Sequence, residues 1–227
     1  MKIAIIPARG NSKRIKDKNI LDFFGKPFLV RAIELAKGSK IFDEIYVSSD
    51  SAKILDLAQN AGAKVLLRQE HLANDFATTL SVMKDACLKL GIKARDIVCC
   101  LYPATPLLKS KSLQDALELL EQNATKNYVF SCVKFRHSPF RSFSLKDNIF
   151  SQMLIDGFID ARSQDLGDLF YDAGAFYFGW GESFLKEEAI FAHKSLCYLL
   201  NDFEACDINT KEDLEEARAK FAWLNFH

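Results

Sequence analysis

Thirteen residues near the amino terminus, Pro7-Ala8-Arg9-Gly10-Asn11-Ser12-Lys13-Arg14-Ile15-Lys16-Asp17-Lys18-Asn19, hold five cations: Arg9, Lys13, Arg14, Lys16 and Lys18. They flank Gly10, which lets the backbone approach a ligand closely, and Ser12, whose hydroxyl can bond an anion. Main-chain N–H groups, a hydroxyl and clustered positive charge together suit phosphate oxygens, so this spacing points to the holding of a polyphosphate. The run also reads as a solvated basic turn, because runs of charge usually lie in water. Its place directly after an apolar stretch, Ile3 to Ile6, weighs toward the phosphate reading. Neither Gly-x-x-x-x-Gly-Lys-Ser/Thr nor Gly-x-Gly-x-x-Gly is present, which argues against an ATPase, a GTPase or a nicotinamide enzyme. Hydrolase chemistry has no foothold either, with no Gly-x-Ser-x-Gly and no His-Glu-x-x-His. His71, His137, His193 and His227 stand apart without metal-ligand spacing, so surface or structural roles are expected for them.

Short apolar runs alternating with segments of helical period must position that loop, and the alternation is the signature of βα units around a mostly parallel sheet. Strands are expected at Ile3 to Ile6, Glu44 to Ser48, Lys64 to Leu67, Ile97 to Tyr102 and Tyr128 to Val133. Between them fall helical stripes: Leu29, Ala32, Ile33, Ala36; Ile54, Leu57, Ala58, Ala61; Leu80, Met83, Cys87, Leu90; and Leu113, Ala116, Leu117, Leu120. Gly38, Gly62 and Gly91 mark three of the helix ends. From about residue 134 to 170 the period is lost, and Arg136, His137, Arg141, Ser142 and Lys146 interleave with Phe135, Phe140, Phe143 and Phe150. An inserted β-rich arm is expected there, serving as a dimerisation element because exposed aromatic and aliphatic groups need a partner surface. Strands resume at Ala173 to Phe178 and Leu196 to Leu200. A last helix begins with the capping-box-like Thr210-Lys211-Glu212-Asp213 and carries a stripe of Leu214, Ala217, Phe221 and Leu224.

The chain has 227 residues with 30 basic and 30 acidic side chains, a balance that argues against coating nucleic acid or an anionic membrane. Hydrophobic residues at 49% and charged residues at 26% exclude intrinsic disorder and suit one domain, 1–227, with an arm inside it. No apolar run approaches the roughly 18 residues of a membrane span, and Pro7 with Arg9 interrupts any signal-peptide core, so a cytoplasmic location is expected. Six cysteines without a Cys-x-x-Cys pair, most of them in apolar runs, read as buried reduced thiols.

Ile5-Ile6-Pro7-Ala8-Arg9-Gly10-Asn11-Ser12-Lys13 with Lys18-Asn19 strongly resembles the signature of the CMP-sialic acid synthetase family, the cytidylyltransferases that activate nonulosonic acids. Further matches follow in order: Val47-Ser48-Ser49-Asp50; Arg68 with Asp75-Phe76-Ala77-Thr78-Thr79; Leu101-Tyr102-Pro103-Ala104-Thr105-Pro106-Leu107; and Asp207-Ile208-Asn209-Thr210-Lys211-Glu212-Asp213-Leu214. The resemblance spans nearly the whole chain and is weakest in the arm. It implies a Rossmann-like nucleotidyltransferase fold of α/β class, and transfer of CMP from CTP to the anomeric hydroxyl of a 2-keto sugar acid with release of pyrophosphate. By the same likeness Arg9 touches the triphosphate, with Ala8, Gly10, Asn11 and Ser12 completing the cradle, and Lys18 lies near the α-phosphate. Asn19 and Arg68 read the cytosine and ribose side, and Ala77 and Thr79 line the base.

The implied cofactor is Mg²⁺, which accepts one or two carboxylates together with phosphate oxygens and water, and Asp207 is the residue expected to hold it. The family normally has Asp-Ile-Asp-Thr at this point, whereas here the second acid is Asn209. Its amide oxygen could still ligate, so weaker metal binding is expected rather than loss; the same exchange keeps open a non-catalytic nucleotide-binding module. Asn11 stands where the family often has glycine, and Asn tolerates positive φ. Arg14, where many sialic acid enzymes have a small residue, could contact the sugar carboxylate or the phosphates. Tyr102, in place of a usual Gln, and Tyr171-Asp172-Ala173-Gly174-Ala175-Phe176-Tyr177-Phe178-Gly179, without the usual Asn-Gly, resemble the pseudaminic acid branch. Sugar contacts are expected from Tyr102, Thr105, Asp172 and Phe176, although Tyr102, Phe176 and Phe178 read equally well as strand core. Sialic, legionaminic and 3-deoxy-octulosonic acids stay open as substrates, and the expected assembly is a homodimer.

Overall fold

The computed structural model describes all residues except Asn11, Lys13, Ile159 and His227. In chain order its elements are β1 (Lys2–Pro7), β2 (Asp22–Phe23), β3 (Lys26–Pro27), α1 (Phe28–Ser39), β4 (Glu44–Ser49), α2 (Ala52–Asn60), β5 (Lys64–Leu67), α3 (Thr79–Leu90) and β6 (Ile97–Leu101). There follow α4 (Ser110–Gln122), β7 (Tyr128–Lys134), β8 (Phe143–Lys146), β9 (Ile149–Met153), β10 (Phe170–Trp180), α5 (Gly181–Leu185), β11 (Ser195–Leu199) and α6 (Lys211–Phe226). A seven-stranded sheet runs β11-β7-β10-β6-β1-β4-β5, parallel except for β10, which is antiparallel to both neighbours. This is the α/β fold expected from the alternation of strands and helices.

Adjacent residues of β1 point to opposite faces, so its apolar run feeds two layers of core. Ala4 and Ile6 pack with Leu29, Ile33, Ile54, Leu113 and Leu117 from α1, α2 and α4 on one face. On the other, Ile3 and Ile5 pack with Met83 and Cys87 of α3 and Phe184 of α5. A third cluster joins Ile15 of the basic loop and Phe23 of β2 to Ile208, Leu214 and Ala217, docking the start of α6 beneath that loop. Arg31 reinforces it, lying 4.8 Å from the Phe221 ring centroid while its Nε donates to the Phe23 carbonyl at 2.9 Å. Leu224, counted in the apolar stripe of the last helix, is exposed instead, because the helix outruns the core on which Leu214 and Ala217 rest.

Between β7 and β10 the chain leaves the sheet and forms the β8–β9 hairpin, which matches the expected arm in place and in β character. Its turn is Asp147-Asn148 with φ of 52° and 63°, the left-handed pair a tight two-residue hairpin demands. Phe143, Leu145, Ile149, Phe150 and Leu154 are all exposed. One expectation fails: Cys132 and Cys197 are not reduced thiols but a disulfide, S–S 1.97 Å, between the paired strands β7 and β11. They lie 65 residues apart, and only the strand order brings them together. Cys87, Cys99 and Cys100 are the buried free thiols expected, and burial pushes Cys87 up to about 12. Among the described residues no helix is long and apolar enough to cross a membrane.

Candidate active site

Pro7 ends β1, and the Ala8 N–H still reaches the Ser48 carbonyl of β4 at 2.9 Å, so the chain leaves the sheet at the carboxyl ends of its parallel strands. There it turns above a cavity of about 630 Å³. Two contacts shape the loop from within. The buried Asn19 side chain donates to the Arg9 carbonyl at 2.9 Å, and the Gly10 N–H donates to Asp50 Oδ1 at 2.9 Å. A Cβ at Gly10 would lie 3.0 Å from Ser51 Cβ, so a side chain there would press directly on the start of α2.

Arg9, Ser12, Lys18, Asn19, Arg68, Ala77 and Thr79 all line this cavity, as do Tyr102, Asp172, Asp207 and Asn209. The amino-terminal loop and the segment before α6 therefore face one space, joined where Lys18 Nζ donates to the Ile208 carbonyl at 2.7 Å. Burial lowers the Lys18 pKa, Asp207 opposes the shift, and Arg14 and Arg9 add to it. Arg68 is almost fully buried, with its guanidinium donating to the Ser48 carbonyl at 2.8 Å; desolvation pulls its pKa down while Asp50 holds it up. Opposite, Asn74 Oδ1 accepts the Phe76 and Ala77 N–H groups at 2.8 and 2.9 Å, folding residues 74–77 into an Asx turn. Arg9 Nη1 crosses to Asp75 Oδ1 at 2.7 Å and so spans the mouth of the cavity.

Three expected site residues are placed elsewhere. Ala8 is fully buried in the core between the sheet and α1. Thr105 turns inward, its hydroxyl donating to the Tyr102 carbonyl at 2.8 Å. Phe176 is completely buried on the face of the sheet away from the cavity. Asn11 lies outside the described residues, and Gly10 meets the cavity only through the loop it shapes. Tyr177, not singled out from the sequence as a site residue, takes the place expected of Phe176: it lines the cavity, and its hydroxyl donates to Asp172 Oδ2 at 2.5 Å.

The exchange has a specific cause. Between Asp172 and Tyr177 the pairing of β10 with β7 shifts register, advancing five residues on β10 against two on β7. Gly174, at φ +60°, supplies the left-handed residue of this bulge, and Ser131 Oγ accepts both the Ala175 and Phe176 N–H groups at 3.2 Å. An odd number of extra residues flips the side-chain alternation, so Asp172 and Tyr177 share the cavity face despite their odd spacing. Tyr102 joins the same floor, its hydroxyl 2.5 Å from Thr79 Oγ1 and its ring edge-on to Tyr177 at 5.7 Å; burial raises the pKa of both tyrosines.

A model of the family described as cytidylyltransferase matches residues 3–223. The chain belongs to the cytidylyltransferase family. It is 41% identical over 219 residues to the pseudaminic acid cytidylyltransferase of Campylobacter jejuni (strain 81-176), covering 95% of this chain and 94% of that one. It is 46% identical over 207 residues to a Helicobacter pylori protein named pseudaminic acid cytidylyltransferase and UDP-2,4-diacetamido-2,4,6-trideoxy-beta-L-altropyranose hydrolase; that match covers 91% of this chain but 40% of the longer protein. Its fold is that of CMP:2-keto-3-deoxy-manno-octonic acid synthetase, solved in complex with CTP, with TM-score 0.74 and 17% identity over 98% of this chain and 99% of that one.

At the carboxyl-terminal wall of this cytidylyltransferase, Asp207 Oδ2 accepts Asn209 Nδ2 at 2.6 Å, and Asn209 Oδ1 accepts Arg14 Nη2 at 2.7 Å. Asp213 holds this segment from below, its Oδ2 accepting the Asn209 and Thr210 N–H groups at 2.8 and 2.7 Å while Thr210 Oγ1 accepts the Asp213 N–H. The capping box at the head of α6 thus uses Asp213 as its acid. No trio of His, Cys, Asp or Glu among the described residues could form an all-protein metal cage. One carboxylate facing a cationic, phosphate-sized space nevertheless fits Mg²⁺, which is commonly held by one or two carboxylates and completed by substrate phosphates and water.

Proposed function

We propose that this chain transfers CMP from CTP to the anomeric hydroxyl of a nonulosonic acid, pseudaminic acid being favoured, and releases pyrophosphate. One observation carries the reading: Arg9, Lys18 and Arg68 line the same cavity as Asp207, so cations for a triphosphate and a carboxylate for its Mg²⁺ meet in one space. The anomeric oxygen bonds to the α-phosphorus, the bond from that phosphorus to the bridging oxygen of the β-phosphate breaks, and the hydroxyl proton passes to solvent. Mg²⁺, when bound on Asp207 and the phosphates, would neutralise charge there. Arg9 moves from Asp75 to the phosphates, and Lys18 offsets charge developing at the α-phosphate. Arg68 and Asn19 steady the nucleoside side, and the partly enclosed space limits competing attack by water.

The pseudaminic acid preference is supported by the names of the relatives from Campylobacter jejuni and Helicobacter pylori, and by the floor of the cavity. Tyr102 and Tyr177 line the cavity with aromatic surface suited to the methyl groups of a deoxygenated, diacetamido sugar, while Asp172 beside them accepts a hydrogen bond from Tyr177. The protein acts in the cytoplasm as a homodimer built through the β8–β9 hairpin. Incubating the chain with CTP, Mg²⁺ and a panel of pseudaminic, sialic, legionaminic and 3-deoxy-octulosonic acids, then searching by mass spectrometry for CMP adducts, tests the reading. The adduct of pseudaminic acid should dominate. A dominant adduct of another acid would overturn the sugar assignment, and no adduct with any would leave a nucleotide-binding module.

A further inference from the structure

Asn209 stands where the family resemblance has a second acid, and both ends of its side chain are engaged. Its Oδ1 accepts Arg14 Nη2 at 2.7 Å, and its Nδ2 donates to Asp207 Oδ2 at 2.6 Å. The main chain fixes the residue as well, through its N–H to Asp213 Oδ2 at 2.8 Å. This carbonyl oxygen accepts a charge-assisted bond from a guanidinium, and that fixed positive charge beside it disfavours a metal cation on the same oxygen. The amide N–H₂ engages Oδ2 of Asp207, leaving its other carboxylate oxygen outside this contact. Arg14 lines that cavity too, although it lies 195 residues from Asn209 in sequence.

We propose that Asn209 is a positioning residue outside the metal's ligand shell, and that the bridge Arg14–Asn209–Asp207 stations a fixed cation beside a single anchoring carboxylate. With an acid at 209 the trio of residues 14, 207 and 209 would carry one net negative charge. Here the trio sums to zero, so the protein shifts part of the neutralisation of the triphosphate from the metal to Arg14. The inference rests on the cytidylyltransferase reading of this cavity and adds to it a division of labour between metal and arginine.

Binding of Mn²⁺ to the CTP complex of the full chain, followed by the loss of the free-ion electron paramagnetic resonance signal, tests it with Asn209→Asp, Arg14→Ala and the double variant. If Arg14 owns residue 209, the carboxylate introduced by Asn209→Asp pairs with Arg14, and Mn²⁺ affinity rises by less than about threefold. Removing Arg14 frees that carboxylate, so the double variant should bind Mn²⁺ about tenfold or more tightly than Arg14→Ala alone. A tenfold gain in Asn209→Asp with Arg14 present would overturn the bridge, as would a double variant that binds Mn²⁺ no more tightly than Arg14→Ala. Thermal melts of each variant confirm folding, and calorimetry with CTP in EDTA separates the two levels of the argument. No CTP binding by the unaltered chain would remove the nucleotide site itself, whereas normal CTP binding with the contrary metal pattern would remove only the bridge.

Discussion

Lys18 shows how single residues are set for this chemistry. Burial disfavours its charge, Asp207 restores it, and Arg14 and Arg9 press against it, so the ammonium is a cation in need of an anion rather than one already satisfied in water. Under the proposed function, a triphosphate entering the cavity would supply that anion. Arg9 is held by Asp75 across the mouth, and under the proposed function it would trade that carboxylate for phosphate oxygens. Replacing either Arg9 or Lys18 by alanine is expected to lower kcat/KM by about 100-fold or more, with the melting temperature little changed, because each loss falls on transition-state charge rather than packing. Steady-state rates with CTP and the sugar acid, read beside thermal melts, check this; near-normal turnover in both variants would contradict the assignment of the loop.

Among the elements, α6 and β10 do most to place the site. The Asp213 carboxylate caps α6 and holds the backbone of Asn209, two residues from Asp207. Its burial would raise its pKa, but the N–H groups of Asn209 and Thr210 hold it below the usual carboxylate range. A depressed carboxylate pKa contributes stability that is present above the unfolded value of about 3.9 and is lost as pH falls through the folded value. Asp213→Ala should therefore cost about 1 kcal/mol at pH 7, the usual worth of a helix cap, with the gap to the unaltered protein closing below about pH 4. Urea unfolding across that pH range reads the difference directly; a gap that persists into acid would show that the carboxylate charge is not its source.

The β/α alternation is legible from apolar period alone, except for the short α5, whose five residues are too few to show a period. So is the clustering of cations after β1. What escaped was whatever depends on a neighbour: the bulge at Gly174 that puts Tyr177 in place of Phe176 on the cavity face, and the strand order that joins Cys132 to Cys197. The Thr105 hydroxyl is likewise used within its own turn, a contact that residue type alone does not reveal. A strand's alternation predicts which residues share a face only until an unpaired insertion changes the count, and here that insertion is visible solely in the pairing with β7.

On the scale of the whole molecule, the cavity lies at the carboxyl ends of the parallel strands, the position where open α/β sheets gather their loops. The arm stands out of this plan as a hairpin with Phe143, Leu145, Ile149, Phe150 and Leu154 open to solvent. Apolar groups gathered in that way call for a covering surface. If the proposed homodimer forms through this hairpin, the unaltered chain should sediment as a dimer and the Ile149→Asp, Phe150→Asp variant as a monomer, with far-ultraviolet circular dichroism unchanged because β8 and β9 pair only with each other; a monomeric unaltered chain would remove the dimer, and a variant that stays dimeric would place the interface elsewhere.

A crystal of the full chain grown with CTP and Mn²⁺, with the anomalous signal of the metal mapped, tests the nucleotide site most directly. The expected map has the triphosphate against Arg9, Ser12 and Lys18, and a manganese peak about 2 Å from an Asp207 oxygen and from phosphate oxygens. Nucleotide density away from the amino-terminal loop, or a manganese peak remote from Asp207, would contradict it.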